Sequence, residues 1–279
     1  MSTTTAAPPR SRPSIGWPRQ TLRLTRTEFT LFVRYKTAWM FLALPLFLLF
    51  VAMGLPSEDV FPGVSSSTLS MAATLGSIGV IVGVGHASNV FTARRESLVL
   101  KRLRVSGVPQ LAIFGALTGV VVLFSVLVAV LMAALIFATS GVLPRDPLML
   151  LLAVVLSALS MTLVGLLITP TVRNAEAAQM AAMVPMMILL FASGVFLPMD
   201  LLPDTARQVV QLFPATPSSD MAQAAYSGYD VFGGYADAEE PGYLGLWAAA
   251  LPSVGVMFAW IAVLGLLVRR YFRWDPRQP

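Results

Sequence analysis

The chain has 279 residues, of which 56% are hydrophobic and only 12% are charged, and it contains no cysteine. Ordinary soluble domains carry roughly 25% charged residues, so this composition excludes an ordinary water-soluble globule. The lack of cysteine excludes disulfides, a thiolate nucleophile and Cys-ligated metals. The formal charge of +5 comes from basic residues beside apolar runs, which favours a membrane surface over nucleic acid as the partner.

Six long segments without Asp, Glu, Lys or Arg divide the chain, and each is at least as long as the ~20 apolar residues that cross a bilayer as a helix. An open sheet cannot satisfy its backbone hydrogen bonds in lipid. We therefore predict an all-α polytopic membrane protein with a six-span domain over residues 37–268. The six predicted spans are 37–56, 68–91, 111–139, 148–170, 179–198 and 245–268.

The basic residues fall on one side of this arrangement. If each segment holds one span, 17 of the 19 Lys and Arg residues lie on the side of the two termini, and Arg145 and Arg207 lie on the other. Because positively charged loops stay in the cytoplasm, both termini are predicted to be cytoplasmic, including the tail 269–279. The expected location is the cell membrane, as in a multi-pass protein of a bacterial inner membrane.

The N-terminal region divides into two parts. Residues 1–18, with four prolines among Ser, Thr and Arg, are predicted to form a disordered cytoplasmic tail. Residues 19–36 place basic and apolar residues on different helical faces, which predicts an amphipathic helix on the inner leaflet. The alternative is a basic topology signal with no further role. The basic residues of this predicted interfacial helix are Arg19, Arg23, Arg26 and Arg34.

The loop 92–108, between the second and third predicted spans, is both basic and apolar. Its residues 92–105 mix five cations and one acid with Leu98, Leu100 and Leu103. We predict a short cytoplasmic helix that ends at Gly107 and Pro109. The leucines exceed what a topology signal requires, so a partner is expected to bind here.

The predicted spans offer few polar groups. They contain no Asp, Glu, Lys or Arg, which disfavours an intramembrane protease or an ion-coupled carrier. We interpret His86 as a structural histidine, with a substrate contact as the alternative. The methionines beside Pro185 are interpreted as helix packing, or else as an adaptable surface for apolar ligands. The candidate substrate-pathway residues are His86, Met180, Met183 and Met187.

Two small-residue motifs, Gly79-xxx-Gly83 and Gly115-xxx-Gly119, would let helix backbones approach closely. A nucleotide-binding loop is lacking, since Lys36 has no upstream glycines and Lys101 is followed by Arg102. We expect no metal site, no bound cofactor and no enzymatic activity on this chain.

The segment 199–244 is predicted to be external. Its first part is too short and too polar to cross a membrane, so short helices at the outer interface are expected. One of these is predicted to begin after Ser218-Ser219-Asp220, whose side chains can cap a helix.

Two groups of residues resemble motifs of a known family. Between the second and third predicted spans stand Arg94-Arg95-Glu96, Leu100-Lys101-Arg102-Leu103-Arg104, Ser106 and Pro109. Around the end of the fifth stand Ser193-Gly194-Val195-Phe196-Leu197-Pro198, Leu202-Pro203 and Phe213-Pro214-Ala215-Thr216-Pro217. Their order resembles that of ABC-2 type transporter permeases, and the chain is most similar to the daunorubicin/doxorubicin-type drug-resistance exporters.

This resemblance implies a permease that lacks its own ATPase and pairs with a separate nucleotide-binding subunit, which binds ATP and Mg. It also implies a second permease subunit, expected to be a copy of this chain. The loop would act as a coupling helix seated on the ATPase through Arg94, Arg95, Glu96, Leu98, Leu100, Lys101, Arg102, Leu103 and Arg104. The helix 19–36 would contact the same subunit, and Ser193, Gly194, Phe196 and Pro198 would belong to the exit gate.

The expected function is therefore export of amphipathic or hydrophobic compounds, with antibiotic or drug efflux as the substrate class. One alternative is export of a lipid-linked glycan or another cell-envelope precursor by the same architecture. A second alternative is a membrane scaffold that anchors a cytoplasmic partner without transporting anything.

Overall fold

The structure is a computed structural model that describes residues 17–34, 37–54, 57–196, 202–236, 238–272 and 274, except for the side chains of residues 17–20, 37–39 and 204. Eleven α-helices form within these residues. They are α1 (Trp17–Arg34), α2 (Thr37–Met53), α3 (Ser66–Gly76), α4 (Gly85–Glu96), α5 (Val99–Val105), α6 (Gln110–Ser140), α7 (Pro147–Ile168), α8 (Ala175–Ala192), α9 (Asp204–Gln211), α10 (Thr216–Ser227) and α11 (Gly242–Tyr271). An antiparallel hairpin of β1 (Asp59–Phe61) and β2 (Val64–Ser65) is a small departure from the all-α prediction.

Five helical segments in the described part of the chain are long and apolar enough to cross a membrane. They are Ser66–Glu96, Gln110–Ser140, Pro147–Thr171, Ala175–Ala192 and Gly242–Tyr271. The first joins α3 and α4 through a π-helical turn at Val80–Val84. The third extends α7 by a 3₁₀ turn. These segments overlap the last five predicted spans.

The first predicted span corresponds to α2, which has 17 residues. At 1.5 Å rise per residue this helix is about 26 Å long, close to the shortest length that crosses the hydrocarbon core. A total of six spans therefore stays a prediction. The fifth predicted span also differs, because α8 ends at Ala192 and Gly194 follows in the left-handed conformation with φ +79°.

The long helices alternate in direction, so their ends gather into two groups. At the basic end, the Arg95 guanidinium reaches the carbonyl of Val172, and the rings of Phe91 and Phe272 lie 5.7 Å apart. At the opposite end, the amide of Asp146 donates to the carbonyl of Ala225 over 3.0 Å. The cationic loops thus share one end of the bundle, while its direction across the membrane stays a prediction.

Glycines bring the helix at residues 66–96 close to its neighbours. Gly79 and Gly83 lie against Ser157 and Met161 of α7, with no room for a side chain. On the other side of the same contact, a Cβ on Gly165 would lie 2.8 Å from the carbonyl oxygen of Val84. The first predicted small-residue motif therefore does mediate close packing of backbones.

The second motif packs against α1. Added Cβ atoms on Gly115 and Gly119 would lie 3.1 and 3.0 Å from the side chains of Thr21 and Thr25, respectively. Further along both helices, the rings of Phe32 and Phe124 are 4.7 Å apart. α1 thus runs beside α6 from Gly115 to Phe124, a rise of about 14 Å along α6. Whether this helix also lies on the inner leaflet stays a prediction.

The segment predicted to lie at the outer interface contains a helix that is packed inside the bundle. Every residue of α10 is buried, mainly against α3 and α7. Two of its hydroxyl groups bond to neighbouring elements: Ser219 Oγ lies 2.8 Å from Ser77 Oγ, and Thr216 Oγ1 donates to the carbonyl at the end of α8. The helix begins at Thr216 with no side-chain cap, so the prediction of a start after Asp220 is wrong.

The main apolar cluster lies toward the opposite end, where α3, α6, α7, α10 and α11 meet. A smaller cluster lies at the basic end and holds α5 against the long helices. Its buried members are Ala87, Phe91, Leu100, Ile113, Leu117, Leu166 and Val268.

Candidate functional site

The predicted coupling helix consists of two elements. α4 continues to Glu96, and Leu98 then adopts a left-handed conformation with φ +59°, so α5 begins only at Val99. A non-glycine residue with positive φ is disfavoured and interrupts the helix. Gly107, with φ +81°, and Pro109 stand at the predicted end. The single helix predicted over residues 92–105 is thus corrected to a bent pair of helices.

The bend separates exposed residues from anchoring residues. Val105 is 82% exposed and Leu98 is 41% exposed, whereas Leu100 is fully buried and Leu103 is partly buried. Leu100 packs within this chain, so it does not belong to a surface that could receive a partner. Exposed side chains around the bend include Glu96, Leu98, Lys101, Arg102 and Val105, and we call these five the α5 docking face.

Arg95 faces inward and connects α4 to the loop before α8. Its side chain is 1% exposed, and Nη2 donates to the carbonyl of Val172 over 2.5 Å. Nearly two turns earlier in α4, Asn89 Nδ2 donates to the carbonyl of Ala175 over 3.3 Å. α4 is therefore bonded at two levels to the segment that starts α8. Sequence reasoning grouped Arg95 with the exposed cations and gave no role to Asn89.

Arg94 faces α1 instead of the exterior. Its guanidinium forms an ion pair with Glu28, and the two side chains are only 17% and 15% exposed. Sequence reasoning missed Glu28, because 66 residues separate the partners and the surrounding helix is dominated by basic residues. Arg23, Arg26 and Arg34 are exposed on α1, while Arg19 lies in the helix but its side chain is outside the described residues.

Arg104 contributes to a different contact, with the C-terminal segment. Its Cζ atom lies 5.8 Å from the centre of the Trp274 ring. Trp274 in turn packs on Phe114 and Phe272, with centroid distances of 5.3 and 5.1 Å. Trp274, which follows α11, therefore packs against α5 through Arg104, a contact that the sequence pattern did not indicate.

A crevice of about 490 Å³ lies between α1 and α4 at the basic end. His86 sits at this crevice and is almost completely buried, and the Phe32 ring approaches its imidazole edge-on at 4.4 Å. His86 thus packs against an aromatic ring and also lines a cavity, so its structural role and its alternative as a ligand contact both stay predictions.

The methionines lie elsewhere. Met180, Met183 and Met187 are exposed on one face of α8, together with Val184, Ile188 and Phe191. Their spacing of three and four residues makes a continuous apolar stripe. The structure therefore does not bring the four candidate substrate-pathway residues into one site.

The predicted exit residues surround the end of α8. Ser193 is buried and donates from Oγ to the carbonyl of Leu190 over 2.8 Å, while Phe196 is half-exposed and its ring lies 4.9 Å from that of Phe191. Thr216 Oγ1 donates to the carbonyl of Ala192 over 2.8 Å, which joins the end of α8 to the start of α10. Pro198 lies outside the described residues.

Among the described residues, no group of three or more His, Asp or Glu side chains is placed to hold a metal ion. A comparison with protein families matches residues 57–270 to the model of the ABC-2 family transporter protein. The match covers the chain from the hairpin to the end of α11. No curated protein matches the sequence.

Proposed function

Because the chain belongs to the ABC-2 transporter family, we propose that it is the permease subunit of an exporter for amphipathic or hydrophobic compounds, driven by a separate ATPase subunit. The family match over most of the chain is the observation that carries this proposal. The uncharged spans favour substrates without an obligatory ionic contact. Antibiotic or drug efflux is the proposed substrate class, and the bacterial inner membrane is the proposed location.

The α5 docking face is the proposed contact with the ATPase. It presents two exposed apolar side chains, Leu98 and Val105, with the exposed cations Lys101 and Arg102 between them in the sequence. Exposed apolar side chains next to charged ones are typical of a protein interface. Leu100 fixes the opposite side of α5 in the small apolar cluster, so a force on the docking face would move α5 together with α4.

Movement of α4 would reach the exit region through its bonds to the start of α8. Arg95 and Asn89 hold the segment from Val172 to Ala175, and the other end of α8 is bonded to α10 through Thr216. ATP binding and hydrolysis would favour different arrangements of this linked set of helices, because the ATPase would contact the docking face differently in each state. Inward and outward access would alternate accordingly.

A second copy of the permease is the proposed partner of the apolar stripe on α8. Six large side chains of the stripe are exposed in the single chain. Adaptable methionines suit a surface that must keep its packing while two subunits move. The resulting assembly would contain two permeases and two ATPases.

Transport into inside-out vesicles tests this function. Vesicles with the chain and a candidate ATPase subunit from the same genome should accumulate an uncharged amphipathic compound such as N-phenyl-1-naphthylamine when ATP is supplied, and vesicles with a Walker-lysine variant of that ATPase should not. Accumulation that does not depend on ATP would contradict the proposal. A complex that forms but moves no compound would instead favour the scaffold alternative.

A further inference from the structure

We propose that the crevice between α1 and α4 binds an uncharged amphipathic molecule with an apolar body. Its purpose, as an entry site for exported compounds, rests on the proposed function. The binding itself does not depend on transport and is tested separately.

The dimensions of the crevice suit a small organic molecule. Its volume of about 490 Å³ falls within the ~300–1,000 Å³ of ligand pockets in proteins. Leu31 and Phe32 of α1 form one wall, and Val90 and Ala93 of α4 form the other. Val99, at the start of α5, closes one side. Apolar walls on two helices favour a ligand with an apolar body in the slot between them.

Polar groups lie at two levels of this slot. His86 and Asn89 contribute hydrogen-bonding groups from the deeper part of α4. Glu28, Arg94 and Ser97 lie nearer the end of α4. A ligand with one or two hydrogen-bonding groups on an apolar body would match both the walls and these positions, as few polar groups typically fix the orientation of a ligand.

The charges of the crevice select against ions. Glu28 and Arg94 pair with each other and are mostly shielded from solvent, so their formal charges cancel inside the site. A charged ligand would have to lose its hydration without gaining an unpaired counter-ion, which is costly in a partly buried site. An uncharged ligand avoids this cost.

The absence of cysteine allows a direct test by thiol labelling. Ala93→Cys and Ser97→Cys each place a single thiol in the crevice, and Ser106→Cys places one on the exposed surface beyond α5. The purified full-length variants, in phosphatidylcholine nanodiscs, are treated with N-ethylmaleimide. N-phenyl-1-naphthylamine, which is uncharged, is the probe, and 8-anilino-1-naphthalenesulfonate is its anionic counterpart with the same rings.

The uncharged probe should slow labelling of both crevice thiols roughly tenfold at about ten times its Kd, because labelling requires an empty site. It should leave the Ser106→Cys thiol unaffected, and the sulfonate should protect neither crevice thiol. Unlabelled crevice thiols in the absence of probe would overturn the proposal, as would equal slowing at Ser106→Cys. Equal protection by the sulfonate would overturn the charge argument on which it depends.

Removing one partner of the ion pair adds a second arm to the test. In Glu28→Gln the Arg94 guanidinium loses its counter-ion, so the sulfonate should now protect the Ala93→Cys thiol. In Arg94→Gln the carboxylate remains, and the sulfonate should still give no protection. Protection by the sulfonate in both variants would show a loosened helix instead of a charge-selective site. Protection without ATP-driven transport would refute the proposed function alone, and transport without protection would refute the crevice alone.

Discussion

Replacement of two apolar residues of α5 separates its anchoring side from its docking side. Leu100 is fully buried against Phe91, Ile113 and Leu117, whereas Val105 is 82% exposed. Leu100→Ala leaves a cavity in that cluster and should lower the free energy of unfolding by about 2–5 kcal/mol. For a chain of this size the melting temperature should fall by roughly 2–4 °C per kcal/mol. Val105→Ala removes exposed atoms and should leave the melting temperature nearly unchanged.

The two variants should rank in the opposite order when binding of the ATPase, and not melting, is measured. Melting is followed by intrinsic fluorescence in detergent, and binding is followed by retention of the ATPase subunit on the tagged permease at a temperature well below both transitions. Val105→Ala should retain less ATPase than Leu100→Ala does. If Leu100→Ala melts like the parent protein but loses the ATPase, Leu100 faces the partner and the described orientation of α5 is refuted.

Three further substitutions test other contacts. Gly165→Leu should lower the free energy of unfolding by about 1–3 kcal/mol, because its Cβ would meet the Val84 carbonyl. Gly265→Leu, with open space around its Cβ, is the control. Equal melting temperatures of the two variants would refute the close packing of α4 and α7. Arg95→Gln should keep the ATPase bound but abolish stimulation of ATP hydrolysis by transported compounds, since the hydrogen bond to the Val172 carbonyl is lost. Unchanged stimulation would show that this bond does not transmit the movement of α4 to α8. Asp146→Ala should lower the free energy of unfolding by about 2 kcal/mol, because the Asp146 carboxylate caps α7 and accepts a 2.6 Å hydrogen bond from Trp247. Asp146→Asn keeps a capping oxygen, so its melting temperature should fall less than that of Asp146→Ala.

The long helices could be predicted because their signal is local. Twenty or more uncharged residues in a row indicate a membrane-crossing helix without reference to the rest of the chain. The close approach at Gly79 and Gly83 was also predictable in kind, since small residues at this spacing create a groove. The partner helix was not, because small residues at this spacing occur on α6 as well as on α7, so the pattern does not indicate which helix fills the groove.

The location of α10 could not be inferred from its composition. Its first turn is rich in hydroxyl groups, which reads as an exposed helix start. The hydroxyl groups are instead satisfied inside the bundle, as between Ser219 and both Ser77 and the carbonyl of Ala73. Such pairing depends on residues more than 140 positions away, which no local pattern contains.

The different contacts of individual residues in the coupling segment could not be predicted for a similar reason. No feature of the sequence distinguishes Leu98, Leu100 and Leu103 from one another. The left-handed conformation at Leu98 sets the direction of α5 and therefore which of the three face outward. Arg94 and Arg95 are likewise adjacent cations, yet one pairs with Glu28 and the other with the Val172 carbonyl. The composition of the loop 92–108 was therefore enough to identify the segment, whereas the contacts of each residue depend on the tertiary structure.

Retention of the ATPase subunit tests the central claim most directly. The tagged full-length chain is co-expressed with candidate ATPase subunits from the same genome, and the parent protein is compared with a Leu98→Asp, Val105→Asp double variant. Leu143→Asp, which changes an exposed leucine near the opposite end of the bundle, is the control. The account predicts that the parent and the control retain the ATPase and that the double variant, although folded, loses it. Equal retention by all three proteins would contradict the assignment of the docking face.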